Sequence, residues 1–222
     1  MRRARAALAT FLPIYWLICS GDSLASDASE PTPVELAALM ELLAGSGGVR
    51  AQFRESRHLA ILTDPIETAG TLYFAPPDRL ARHVTRPGRS SVVVEAGRVS
   101  IGDETGQRVF DFDTSEFARA LVGNLMVVFR GDLESLKAQY LISFDSVGQS
   151  WTLDLEPRSR ALRGIIERIH FTGRGRKLTA METRESNGDR TIMRFSEIEI
   201  GVSWEPGDLD RIFSLDPPDA TP

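Results

Sequence analysis

A change of hydrophobic period constrains this chain more than any other feature. From Val49 onward, apolar residues recur at every second position, with Val49, Ala51 and Phe53 alternating with Arg50, Gln52 and Arg54. Period two is the signature of a strand buried on one face and wet on the other. Comparable runs follow at residues 66–74, 79–85, 90–95, 99–101 and 108–112, and again at 140–145, 151–156, 165–172, 178–185 and 191–200. Turn residues separate them: Asp64-Pro65, Ala75-Pro76-Pro77-Asp78, Pro87-Gly88, Gly97, Gly102-Asp103, Gly148, Gly173 with Gly175, and Asn187-Gly188. Asn-Gly is a strong hairpin signal. Connections this short join antiparallel neighbours, because parallel strands need crossovers of about a dozen residues or more.

Two stretches keep the helical period instead. Thr32-Pro33-Val34-Glu35 has the form of a capping box with proline in the first helical position. Leu36, Leu39, Met40 and Leu43 then line one helix face, and Gly45, Gly47 and Gly48 end it. Over residues 114–130, Phe117, Leu121, Val122, Leu125, Val128 and Phe129 form an apolar face wider than a surface helix needs. That face suits a core helix and a movable lid equally. Gly131 stops it, and Asp132 is placed to cap a short helix through Ala138. Residues 204–222 are acidic and proline-rich, with Leu209, Ile212 and Phe213 as their anchors. The expected fold is α+β: a single antiparallel sheet of ten to eleven strands, curled into an open or half β-barrel. Its concave apolar face must be covered, and the helical segments are the cover.

The first residues carry an address. Arg2, Arg3 and Arg5 precede an uncharged stretch containing Leu8, Phe11, Leu12, Ile14, Trp16 and Leu17, and Ser23 and Ala25 are small residues at a suitable cleavage point. This predicts a secretory signal peptide over residues 1–25 and a mature domain over 26–222, exported as a soluble periplasmic protein. The only cysteine, Cys19, follows Ile18, and lipid attachment there would need a small residue in that place. Cleavage after Ala25 removes it, so a disulfide or thiolate metal site is not expected in the mature chain. Loss of three arginines and Asp22 takes the net charge from −5 to −7. An acidic chain of this kind lacks the basic face a nucleic-acid binder needs. A monomer is expected.

Motifs for chemistry are missing. There is no Gly-x-Ser-x-Gly, no His-Glu-x-x-His, no phosphate-cradling glycine loop and no dinucleotide fingerprint. Gly173-Arg174-Gly175-Arg176-Lys177 is basic but bridges two strands rather than opening a helix. His58, His83 and His170 sit on separate strands with no metal-ligand spacing. No catalytic residue, metal or cofactor is therefore expected.

Several segments resemble the LolA-type lipoprotein carriers. Val49-Arg50-Ala51-Gln52-Phe53 after a leading helix is similar to that family's opening strand. Gly70-Thr71-Leu72-Tyr73-Phe74, followed by Pro77-Asp78 and Leu80, is similar to its second strand and turn, and Arg86-Pro87 with the following valines to its next turn and strand. Gly131-Asp132-Leu133, Trp151-Thr152-Leu153 with Leu155 and Pro157, and Asn187-Gly188-Asp189-Arg190-Thr191 continue the likeness along nearly all of the mature chain. The resemblance implies a non-enzymatic carrier that takes acylated lipoproteins from inner-membrane release machinery to an outer-membrane acceptor. Related lipid cargo is the alternative load. Two positions depart from the pattern: the arginine before the second-strand turn proline is Pro76 here, and the tryptophan of the third strand corresponds to about Arg82. The resemblance therefore does not extend to the lid latch or to the identity of the cargo.

On that basis the acyl-binding residues are expected to be Phe53, Leu72, Phe74, Leu80, Val84 and Leu153 on the sheet, under Phe117, Leu121, Leu125 and Phe129 of the lid. Arg82 shares parity with Leu80 and Val84, so it either turns inward toward a head group or an acidic lid residue, or twists out to solvent. A rival reading is a periplasmic sensor or accessory protein, for envelope lipid or pigment synthesis, that binds lipid without transporting it.

Overall fold

The computed structural model describes residues 33–111 and 122–215. The signal-peptide reading, Phe112, Phe117 and Leu121 from the start of the wide helical face, and the last residues of the tail lie outside that range. Eleven strands occur among the described residues: β1 (Gly48–His58), β2 (Ile66–Ala75), β3 (Arg79–Arg86), β4 (Ser90–Glu95), β5 (Arg98–Asp103), β6 (Gly106–Asp111), β7 (Tyr140–Val147), β8 (Ser150–Pro157), β9 (Ile166–Arg174), β10 (Lys177–Glu185) and β11 (Arg190–Val202). The helices are α1 (Pro33–Ala44), α2 (Asn124–Arg130), α3 (Leu133–Gln139), α4 (Arg160–Arg163) and α5 (Pro206–Ile212).

All the strands form one sheet in the order β6-β5-β4-β3-β2-β1-β11-β10-β9-β8-β7, with every pair antiparallel. It is two meanders sewn together along β1 and β11, the first and last strands. The edges are β6 and β7, and the chain between them runs through α2 and α3. The sheet is not closed into a barrel, as expected from the sequence.

Curvature follows from two observations. Laid flat at about 4.8 Å per strand, eleven strands would span roughly 50 Å. Yet residues from β1–β5 and β8–β11 join one continuous apolar cluster with α1, α2 and α3. A flat sheet cannot bring Val99 of β5 and Leu153 of β8 into the same cluster under helices this short. Bulges supply the bend: β11 slips against β1 between the pairs Arg50–Glu199 and Gln52–Ser196, and Glu197 there has φ of 51°.

The inward face follows the sequence alternation. Ala51 and Phe53, Leu72 and Phe74, Val92 and Val94, Trp151, Leu153 and Leu155, and Ile169 and Phe171 are all buried on it. The cover is built as read: α1 begins at Pro33, and Asp132 caps α3 by accepting from the Ser135 N–H at 3.0 Å. Gly131 ends α2 in a left-handed conformation (φ 65°), and a Cβ there would collide with the carbonyl of Met40 on α1. Glycine is thus demanded twice at that crossing.

The outer face holds a feature not expected from the sequence. The acidic tail folds as α5 and lays Phe213, Leu209, Ile212 and Leu215 on Ala75, Ala81, Val93 and Tyr73, making a second small core on the convex side of β2–β4. Three apolar anchors in a proline-rich stretch show no clear helical period, so α5, which opens on Pro206, is not expected from the sequence. The short α4 was also unmarked; Ser159 caps it through the Leu162 N–H.

Candidate functional site

Phe53, Leu72, Phe74, Leu80, Val84, Leu125, Phe129 and Leu153 are all buried and belong to the inner cluster. Only part of this set borders free space. A hollow of about 450 Å³ lies between the sheet and the start of α2, lined by Leu80 and Val92, by Val122 and Leu125 from above, and by Ile166, Met181 and Met193 on the opposite wall. That volume falls in the range of small-molecule pockets. Of the sequence-expected residues, Leu80, Arg82 and Leu125 line it. Phe53, Leu72, Phe74, Phe129 and Leu153 instead fill the packed part of the core, where Phe74 stacks on Phe129 with centroids 5.2 Å apart and planes 19° from parallel.

Sequence reasoning missed the far wall. Met181 and Met193 are a cross-strand pair on β10 and β11, and both face the hollow. Methionine is unbranched and polarizable, which suits a wall that must fit variable shapes. With Met40 and Met126 also in or at the inner cluster, every methionine of the described residues is drawn to this face. That enrichment was the available signal.

The parity of β1 carries charge into the same space. After Phe53, the inward positions are Glu55 and Arg57, both on the wall of the hollow. Arg82 turns inward, with its guanidinium 4.5 Å above the Phe53 ring and 3.0 Å from Glu55, and it donates to Thr68 Oγ1 at 3.4 Å. Among the described residues its ion-pair partner is therefore a residue of the sheet. Both side chains of this pair are about five-sixths buried, at 16% and 17% exposure, so solvent screens them less than it would a surface pair. Arg57 pairs with Glu185 and Asp189 at 3.7 and 3.8 Å. The polar end of the hollow is thus internally balanced, two cations facing two wall carboxylates.

The roof is tied down from its own side. Pro76 offers no side chain to bond the cover, but Arg130 at the end of α2 donates through Nε to the Pro77 carbonyl at 3.2 Å. The contact joins the same turn to the same cover with the arginine on the opposite partner.

The histidines do not converge. His58 contacts Ser56 Oγ at 3.2 Å and His170 contacts Asp154 Oδ1 at 2.7 Å. His83 lies on the outer face, only 5% exposed, between Ser91 Oγ at 2.9 Å and the Ile212 carbonyl at 2.7 Å. A carbonyl only accepts, so Nε2 carries the proton and Nδ1 accepts from Ser91. Burial holds the His83 pKa below its usual value, with the Ile212 hydrogen bond acting in the opposite direction. Among the described residues, no group of three or more His, Cys, Asp or Glu side chains is arranged to hold a metal ion, and no helix is long and apolar enough to cross a membrane.

Residues 28–196 match the model of a family described as outer membrane lipoprotein carrier protein LolA-like. No curated protein matches the chain significantly. Among solved structures, a LolA superfamily protein from Nitrosomonas europaea is 8% identical, with 81% of this chain and 97% of that one covered and a TM-score of 0.42. The MucA/MucB complex of Pseudomonas aeruginosa gives 12% identity over 79% of this chain and 60% of that one, at a TM-score of 0.47. A lipoprotein-sorting protein domain from Vibrio parahaemolyticus gives 9%, 80% and 95%, at 0.41. These likenesses are too distant to argue from, and the family match stands without them. It covers well over half of the sequence, and the chain belongs to the outer membrane lipoprotein carrier protein LolA-like family.

Proposed function

We propose that the protein is a periplasmic carrier that takes up the acyl chains of lipoproteins, or of a related lipid, and moves them from the inner to the outer membrane. The observation that carries this reading is the hollow itself: a half-open space of about 450 Å³ that reaches from charged residues at its mouth to Leu80, Val92, Val122, Leu125, Met181 and Met193. Exposing acyl chains to water costs about 0.8 kcal/mol per methylene, on the order of 10 kcal/mol for one long chain. A carrier must hide that surface and still release it. Aliphatic and methionine walls do so through contacts without direction, so no single bond must break at handover.

In this reading Leu80, Leu125, Val92, Met181 and Met193 meet the first part of an acyl chain. Phe53, Leu72, Phe74, Val84, Phe129 and Leu153 become accessible as the roof lifts from its Phe74–Phe129 and Pro77–Arg130 contacts. Residues 1–25 direct export and are removed, leaving 26–222 as the working domain. The reaction is binding and release, with no catalytic residue, and the expected partners are a donor at the inner membrane and an acceptor at the outer membrane.

The Arg82–Glu55 pair favours a second reading, in which the cargo is a lipid whose polar head exchanges with that pair and the protein acts as a sensor or accessory without transport. Lipid mass spectrometry on protein isolated from its native periplasm, followed by a handover assay to acceptor membranes, separates the two. Acylated protein or lipid that co-purifies and transfers supports carriage. A retained lipid that never transfers supports the second reading, and protein free of acyl material refutes both.

A further inference from the structure

The open end of the hollow is ringed by three connections that hydrogen bonds bind into one rim. The β1–β2 loop is joined to the β10–β11 turn where the Ala60 N–H donates to Asp189 Oδ1 at 2.9 Å. That turn is joined to the segment before β9 where the Ser186 N–H donates to the Ile165 carbonyl at 3.0 Å and Ser186 Oγ to the Arg163 carbonyl at 2.6 Å. Ile165 and Glu185 of this rim are also walls of the hollow.

The rim is unusually greasy at its tip. Ile61 is 89% exposed, Leu62 49%, Ile66 43% and Ile165 39%, so half of the large exposed apolar side chains among the described residues sit on this one end. Scattered exposed leucines need no explanation, but a contiguous set around a cavity mouth does. Beside them, Arg160 and Arg163 lie on α4; both are exposed, and neither makes an ion pair among the described residues, whereas Arg158 is turned to the Lys137 and Tyr140 carbonyls. Asp64 and Glu67 flank the other side of the loop. Aliphatic tips next to uncompensated guanidinium groups are the composition that settles on an anionic lipid surface: the apolar groups enter the interface and the cations stay among the head groups.

We propose that this rim, Ile61, Leu62, Ile66 and Ile165 with Arg160 and Arg163, is a docking surface for an anionic phospholipid bilayer. Docking there turns the mouth of the hollow toward the membrane, so cargo passes between bilayer and cavity without crossing open water. The surface is set by the loops and arginines, and it stands apart from whether the hollow carries a lipoprotein.

Sedimentation of the secreted chain with vesicles tests it, using phosphatidylethanolamine with phosphatidylglycerol, and phosphatidylcholine alone as the neutral comparison. The intact protein is expected to bind the anionic vesicles and largely ignore the neutral ones. Ile61→Asp with Leu62→Asp should weaken binding by roughly tenfold or more, and Arg160→Glu with Arg163→Glu by roughly tenfold. Val147→Asp should change nothing; Val147 is 78% exposed but lies at the β7–β8 turn, at the opposite end of the sheet. All five positions are at the surface, and unchanged circular dichroism confirms that the variants are folded. The proposal is overturned if the protein stays unbound, if it binds both vesicle types equally, if Val147→Asp costs as much as the loop pair, or if it sediments only with vesicles containing inner-membrane proteins. A protein that docks yet carries no acyl material would refute the carrier reading alone; one that holds acyl material and ignores vesicles would refute this surface alone.

Discussion

The two faces of the sheet use the same strands for opposite ends. On the concave side, a large apolar cluster borders a hollow, and α2 meets the sheet there through a stacked ring pair and the Arg130 side chain's hydrogen bond to the Pro77 carbonyl. On the convex side, a small cluster is closed by a terminal helix and fixed by a buried histidine with both ring nitrogens engaged. Contacts without direction suit a surface that must release what it holds; directional hydrogen bonds suit one that must not move. The same β3 shows both, with Leu80 and Arg82 facing the hollow and Ala81 and His83 facing the tail. In this account the outer clamp stiffens β2–β4 so that the inner face keeps its shape while its roof moves.

The sharpest way to break the comparison is inside the concave face. Phe171 is fully buried in the packed part of the core, and Phe171→Ala should cost about 4 kcal/mol in chemical denaturation. Leu125→Ala removes a side chain that already borders the hollow and should cost about 2 kcal/mol, near the low end for leucine truncation. Equal costs would mean that the hollow is not a standing feature. On the convex side, Phe213→Ala should cost about 3 kcal/mol, the low end for phenylalanine truncation, and expose residues 204–215 to protease, while leaving acyl retention unchanged.

Smaller effects probe the polar groups. Glu55→Gln leaves Arg82 with a neutral partner in a confined site and should cost about 1–2 kcal/mol, and the loss should be smaller when Arg82 is replaced by leucine in the same chain. The His83 clamp adds a pH dependence. Its folded pKa lies below the unfolded value of about 6.5, so the unfolded state binds the extra proton first and stability falls as pH drops through and below that value. Thermal melts of the intact protein should therefore lose stability between pH 7 and pH 5, and His83→Gln should remove that part of the slope. A slope unchanged by His83→Gln would show that the clamp does not sense pH.

What the sequence disclosed follows from which interactions are local. Alternation in β1–β4 and β8 was readable because one face of each strand meets water and the other does not, and the caps at Asp132 and Gly131 were readable because each is a contact within a few residues. The outer core was not: Phe213 finds Ala81 and Val93 only through a long return of the chain, and nothing local marks those small residues as half of an interface. The site was legible as a face but not as a space. Strand parity placed Phe53, Leu72 and Leu153 inward correctly, yet which inward residues border a void depends on how β3, β10 and α2 approach one another. Arg82 shows the same limit. Its inward parity was visible, but its Glu55 partner was fixed by the pairing of β1 with β2 and of β2 with β3.

The most direct test of the central claim is site-specific photo-crosslinking in the native periplasm. A photoreactive residue at Met181 or Leu125, on the walls of the hollow, should label acyl-bearing material, while the same residue at the outward-facing Thr179 or Arg194 should not. Labelling that is equal on both faces, or absent from Met181 and Leu125 in folded protein, would contradict the account.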